Sequence, residues 1–72
     1  MLLNELKPVI SSQYIALSLN PIETIVFELV DGDYLAVRDT MNYGMYLEFG
    51  NRIVEKIHPH TNTTMIVVLE NK

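Results

Sequence analysis

The sequence predicts an α+β fold that is mostly β. We expect a short N-terminal helix followed by a five- or six-stranded antiparallel meander or small barrel-like sheet, in one domain over residues 1–72. Three observations carry this expectation. Residues 14–19, YIALSL, alternate strictly, as a half-buried strand does. An Asp31-Gly32 pair sits between two β-rich runs, where a two-residue hairpin turn belongs. Residues 64–70, TMIVVLE, are apolar at both alternating sets of positions.

Residues 1–12 read as a short helix. Asn4 is placed to cap, Glu5 suits the positive helix start, and Pro8 is still near the first turn. Leu6, Val9 and Ile10 have the spacing of one apolar stripe. In YIALSL, Ile15, Leu17 and Leu19 share a face, and Asn20-Pro21 ends the strand. ETIVFELV and DYLAVR then form the hairpin, with Leu29 facing Tyr34 and Val26 facing Val37.

Residues 39–50, DTMNYGMYLEFG, fit two periods. A helix from an Asp39 cap to Gly50 is possible, but Gly44 inside it costs about 1 kcal/mol relative to alanine. Period two fits residues 43–49, so a strand is expected, followed by a tight type II′ turn at Gly50-Asn51 and a strand through RIVEKIH. His-Pro-His-Thr-Asn is then a loop, and TMIVVLE the last strand. Its Met65, Val67 and Leu69 point one way, and Ile66 and Val68 the other. Such a strand needs cover on both faces, and a chain of 72 residues supplies one cover easily.

Composition narrows the function classes. With 49% hydrophobic and 19% charged residues the chain is globular rather than disordered. It has no cysteine, so neither disulfides nor thiolate zinc staple its small core. A net charge of −4 argues against direct nucleic-acid binding and against anionic membranes. No run is long and apolar enough to span a bilayer, and no secretory leader is legible, so the expected location is the cytoplasm.

Candidate chemistry is sparse. His58-x-His60 places two imidazoles two residues apart, but zinc catalysis needs a third ligand, for which only carboxylates such as Glu55 or Asp39 are left. Pro59 between them favours a bend, so no metal ligands and no cofactor are assigned. Asp31-Gly32-Asp33 lacks the glutamate of a calcium loop, since position 42 is Asn. There is no cysteine nucleophile, Gly-x-Ser-x-Gly elbow or glycine-rich phosphate loop, so no catalytic residues are assigned and an enzyme is not expected.

Tyr43, Met45, Tyr46 and Phe49 form a dense aromatic and methionine patch, flanked by Arg52, Lys56 and His58 on the next strand. These residue types anchor interfaces as well as cores. Together with Ile66 and Val68 they are the candidate binding or interface residues for a protein partner and for a homo-oligomer. A second reading makes Tyr43, Tyr46, Arg52 and His58 the lining of a nucleotide pocket between subunits, as in a nucleotide sponge; a third is the metal site at His58/His60.

MLLNELKPVI at the start and VEKIHP…MIVVLE near the end resemble small proteins of phages and prophages of Gram-positive bacteria. The matching residues are Met1, Leu3, Glu5, Leu6 and Pro8, then Val54, Ile57 and Pro59. The middle segment departs from that pattern. The resemblance implies a setting rather than a chemistry. It points to an accessory protein of a mobile element that binds and blocks a host or defence protein, in the manner of an anti-CRISPR inhibitor.

Overall fold

Strand alternation organises the molecule. In the computed structural model, which describes residues 1–19, 23–38 and 44–70, one five-stranded sheet is built from β1 (Tyr14–Leu19), β2 (Glu23–Val30), β3 (Asp33–Ala36), β4 (Val54–Pro59) and β5 (Thr64–Leu69). Ile15 and Leu17 of β1 are buried on one face, while Tyr14, Ala16 and Ser18 point to the other. The β2–β3 hairpin has the expected register, with Leu29 opposite Tyr34. Just beyond the end of β3, the Val37 amide donates to the Val26 carbonyl at 3.0 Å. Asp31 (φ 51°) and Gly32 (φ 85°) both take positive φ, which a two-residue turn between right-twisted strands requires.

The sheet is mixed and open. Its strand order is β3-β2-β1-β5-β4, with β5 parallel to β1 and every other pair antiparallel. The antiparallel meander and the barrel are therefore both corrected. β4 and β5 form a hairpin that lies beside β1 instead of continuing from β3, and the sheet does not close. Sequence-local turns fix each hairpin, but no local signal fixes how two hairpins join.

Residues 45–49 correct the expected strand: Met45–Phe49 is the short helix α1. Gly44 stands before it in extended conformation (φ −88°, ψ 135°) and bridges to Leu35, so it imposes no helix-interior cost. Met45 and Tyr46 are adjacent and both buried, which a strand with one covered face cannot achieve. A helix puts Met45, Tyr46 and Phe49 toward the sheet and leaves Leu47 83% exposed. Gly50 has φ −58°, so the expected type II′ turn is absent; its amide donates to the Tyr46 carbonyl and closes α1. The part of the segment over 39–43 lies outside the described residues.

The N-terminal helix is also shorter than expected, a 3-10 turn over Leu3–Leu6. Its cap is at Leu2 rather than Asn4: the Leu2 amide donates to Glu5 Oε1 at 2.7 Å. Leu3 and Leu6 are buried at 3-10 spacing, whereas Val9 is exposed, so the Leu6/Val9/Ile10 stripe does not form. Backbone bonds hold this segment to the chain entering β4. Val54 donates to Met1, Leu3 to Arg52 and Asn4 to Gly50.

The 3-10 turn and α1 cover one face of the sheet. Between them lies the core, with Ile15, Leu17, Phe27, Tyr34, Val67 and Leu69 buried from the strands and Leu3, Leu6, Met45 and Tyr46 from the cover. Phe27 meets Phe49 edge-on at 6.5 Å, and Tyr34 meets Tyr46 at 6.1 Å, geometries that suit the aromatic quadrupole.

Candidate interaction surface

The structure divides the sequence-predicted site between the two sides of the sheet. Met45 and Tyr46 are core residues, so they present no surface to a partner. Phe49 is half-buried against the same core. Arg52 is half-buried, and its guanidinium Nη2 donates to the Glu70 carbonyl at 3.2 Å, tying the start of β4 to the end of β5. Tyr43 lies outside the described residues. His58, Ile66 and Val68 are on the opposite, uncovered face: His58 is the cross-strand partner of Ile66, and Lys56 of Val68. Tyr46 and His58 thus belong to opposite sides of the sheet and do not converge on one bound base within the subunit.

Around Ile66 and Val68 the strand registers assemble a surface that reaches every strand. One row across the sheet reads Val37, Val26, Ala16, Ile66, His58. The rows beside it carry Leu35, Glu28, Tyr14 and Thr64 on one side, and Thr24, Ser18, Val68 and Lys56 on the other. Just before β4, Ile53 pairs with Leu2, and both side chains are exposed. Val26 is 43% exposed and Val37 46%, with Leu2, Val30 and Ile53 similarly open. Val26 and Val37 also take part, with Ile25 and Ala36 of the other face, in lining a groove of about 660 Å³ at the end of the β2–β3 hairpin. Among the described residues no helix or loop packs over this face.

Ionisable side chains stand at both of its flanks, with Arg38 beyond the end of β3 and Glu55 beside Lys56 on β4. Glu28 and Asp33 lie on the β2–β3 side of the apolar row, where Gln13 Nε2 donates to Glu28 Oε2 at 3.3 Å. Lys56 and His58 lie on β4, at the other flank. The sequence held a signal for this face that the site assignment missed. Val26 and Val30 alternate with Ile25, Phe27 and Leu29, so β2 is apolar on both sides just as β5 is.

Among the described residues the two histidines meet no third ligand, and Asp39 lies outside those residues. His58 is on β4, while His60 begins a four-residue loop whose shape is set by Thr61. The Thr61 hydroxyl accepts from the amides of Thr63 and Thr64 at 3.2 and 3.1 Å, a side-chain mimic of a backbone turn. Among the described residues no group of three or more His, Asp or Glu is placed to hold a metal ion, and no helix is long and apolar enough to cross a membrane.

Two buried phenols sit beneath the cover. The Tyr34 hydroxyl donates to the Ser12 carbonyl at 2.6 Å, and burial raises its pKa. The Tyr46 hydroxyl is buried without a hydrogen-bond partner. Burial, then Tyr34, then Asp33 push its pKa up to about 12. The Lys7 ammonium stands 5.5 Å from the Tyr46 ring centroid, within cation–π reach.

No family model matches the chain, and no significant similarity to a curated protein or a solved structure was found.

Proposed function

We propose that this is a non-enzymatic interaction protein of the bacterial cytoplasm, one that self-associates and acts by covering a functional surface of another protein. The observation that carries the reading is the uncovered face of the sheet. It exposes Val26 and Val37 beside the half-buried Ile66 and Val68, a contiguous apolar area with polar margins of the kind used for protein contact. The phage resemblance of both chain ends supports a host or defence protein as the partner, with a CRISPR nuclease as the specific case. Inhibition is then steric, and the acidic net charge of −4 steers the protein toward a basic partner surface.

A plaque assay on defence-proficient bacteria tests the reading. Cells expressing the protein are expected to admit a phage that the defence otherwise excludes, and the Val26→Glu/Val37→Glu variant to lose that effect while remaining folded. Equal plaque counts with and without the protein across CRISPR-proficient strains would sink the defence role.

A further inference from the structure

We propose that the N-terminal segment is a strap that closes the outer edge of β4, and that together with Pro59 it keeps other chains from adding to that strand. This device works through backbone groups and is independent of the open face, whose contacts are made by side chains.

An open sheet ends in two strands whose outer backbone groups have no partner within the sheet, and such edges accept an extended segment of another chain. Here the outer strands are β3 and β4. Residues 55–59 of β4 are all exposed, so this edge is within reach of other molecules. Three features close it.

The strap comes first. Leu2 bridges antiparallel to Ile53, with the Val54 amide donating to the Met1 carbonyl at 2.8 Å and the Leu3 amide to the Arg52 carbonyl at 3.0 Å. Those are the bonds an added strand would make, and they use the outward groups of Arg52 and Val54. Buried Leu3 and Leu6 anchor the strap in the core, and the Leu2 amide bond to Glu5 fixes its start. A bulge follows. The β4–β5 register shifts between Val54 and Lys56, which bends the edge and interrupts its ladder. Pro59 is the third feature. The His60 amide donates to the Thr64 carbonyl at 3.1 Å. By antiparallel alternation His58 and Lys56 then turn their backbone groups toward β5, while Ile57 and Pro59 turn theirs outward. Proline has no N–H, so it occupies a position where β4 would otherwise offer a donor to a neighbouring chain. Past the bulge, the Ile57 amide is the donor still turned outward. The opposite edge is closed in a similar way: β3 has only four residues, and Gly44 bridges to its Leu35.

Hydrogen exchange and aggregation of the full chain test the proposal. In the native chain the Val54 amide is expected to exchange at least roughly tenfold more slowly than the Ile57 amide, because the strap covers only the first. Leu2→Gly/Glu5→Ala/Pro59→Val changes three exposed positions, so its circular dichroism should match that of the native chain. With the edge unguarded, this variant is expected to form thioflavin-positive aggregate at about 200 μM, where the native chain forms none. Adding Ile57→Pro removes the remaining outward donor without touching the β5 ladder, and should abolish that aggregate. A folded triple variant that forms no such aggregate would overturn the proposal. Aggregate that persists with Ile57→Pro would also overturn it, since the association would then not run through the edge. Should the triple variant unfold, the exchange comparison in the native chain decides, and equal rates for Val54 and Ile57 would show that the strap does not close the edge.

Discussion

The two faces of one sheet differ in how completely the chain itself finishes them. On the covered face, Ile15, Leu17, Phe27, Val67 and Leu69 lose all contact with solvent, and the described residues that cover them form two short elements, a 3-10 turn of four residues and a helix of five. On the uncovered face, their immediate sequence neighbours Ala16, Val26, Ile66 and Val68 remain partly exposed, though three of them are just as β-branched and apolar. Burial of one such side chain is worth about 1.5–3 kcal/mol. The covered face therefore carries the stability of the monomer, and the uncovered face holds apolar area not yet used. A small fold that could have placed threonine or lysine at those positions, as it does at Thr24 and Lys56, keeps valine and isoleucine instead.

The sharpest way to break this comparison is to truncate neighbours of opposite facing. Phe27→Ala removes a fully buried ring that also packs edge-on against Phe49, and a loss of about 3–5 kcal/mol is expected. For a domain this small that approaches the whole stability, so equilibrium denaturation should show a largely unfolded chain at 25 °C. Val26→Ala, one residue earlier, is expected to change dilute-protein stability by no more than about 0.5 kcal/mol. If a second copy covers Val26, its cost grows with protein concentration, because only the dimer uses it. Equal costs for the two variants in dilute solution would mean the faces are not distinct.

A smaller effect probes the cover itself. A methyl group on Gly50 would run into the Tyr46 carbonyl and the Asn4 side chain, where the 3-10 turn and α1 are pinned together. Gly50→Ala is expected to cost about 1–3 kcal/mol. Adding Asn4→Ala should recover only part of that, since the backbone carbonyl of Tyr46 still blocks the site. Full recovery in thermal melts would show that the side chain alone sets the close approach. A neutral Gly50→Ala would show that the cover is not held tightly against the sheet.

The division of the sheet was only half legible in the sequence, and the reason is the range of each signal. Alternation in YIALSL and TMIVVL, and the positive-φ turn at Asp31-Gly32, are local and correctly place β1, β5 and the β2–β3 hairpin. The parallel pairing of β1 with β5 joins residues fifty positions apart and has no local mark, so a meander was the natural expectation. At α1, period two competes with a helical stripe, and Gly44 disfavours a helix only from inside one, whereas here it precedes α1. The aromatic patch misled for a physical reason: tyrosine, methionine and phenylalanine serve cores and interfaces alike, and here Met45 and Tyr46 close the core. The apolar residues left open are the plainer Val26, Val37, Ile66 and Val68, of which the two in β5 were legible from its two-faced pattern.

The smallest contrast lies between two phenols on the covered side. Tyr34 donates to the Ser12 carbonyl, whereas the Tyr46 hydroxyl is buried without a partner. Tyr34→Phe strands a carbonyl and is expected to cost about 1 kcal/mol at neutral pH. Tyr46→Phe removes an unsatisfied group and should be neutral or stabilising by up to about 1 kcal/mol. Alkaline pH separates them further. Tyr46 ionises near 10 when unfolded and is pushed up to about 12 when folded, so the folded state disfavours its charged form. The stability this confers is complete below pH 10 and is lost as pH rises toward 12. Tyr46→Phe should therefore flatten the fall in stability between pH 10 and 12, as followed by urea denaturation at pH 7, 10 and 11.5. Tyr34, whose pKa burial also raises, contributes to the slope that remains. If Tyr46→Phe instead proved as costly as Tyr34→Phe at pH 7, the Tyr46 hydroxyl would have to be hydrogen-bonded, and the cover would be more polar than its packing indicates.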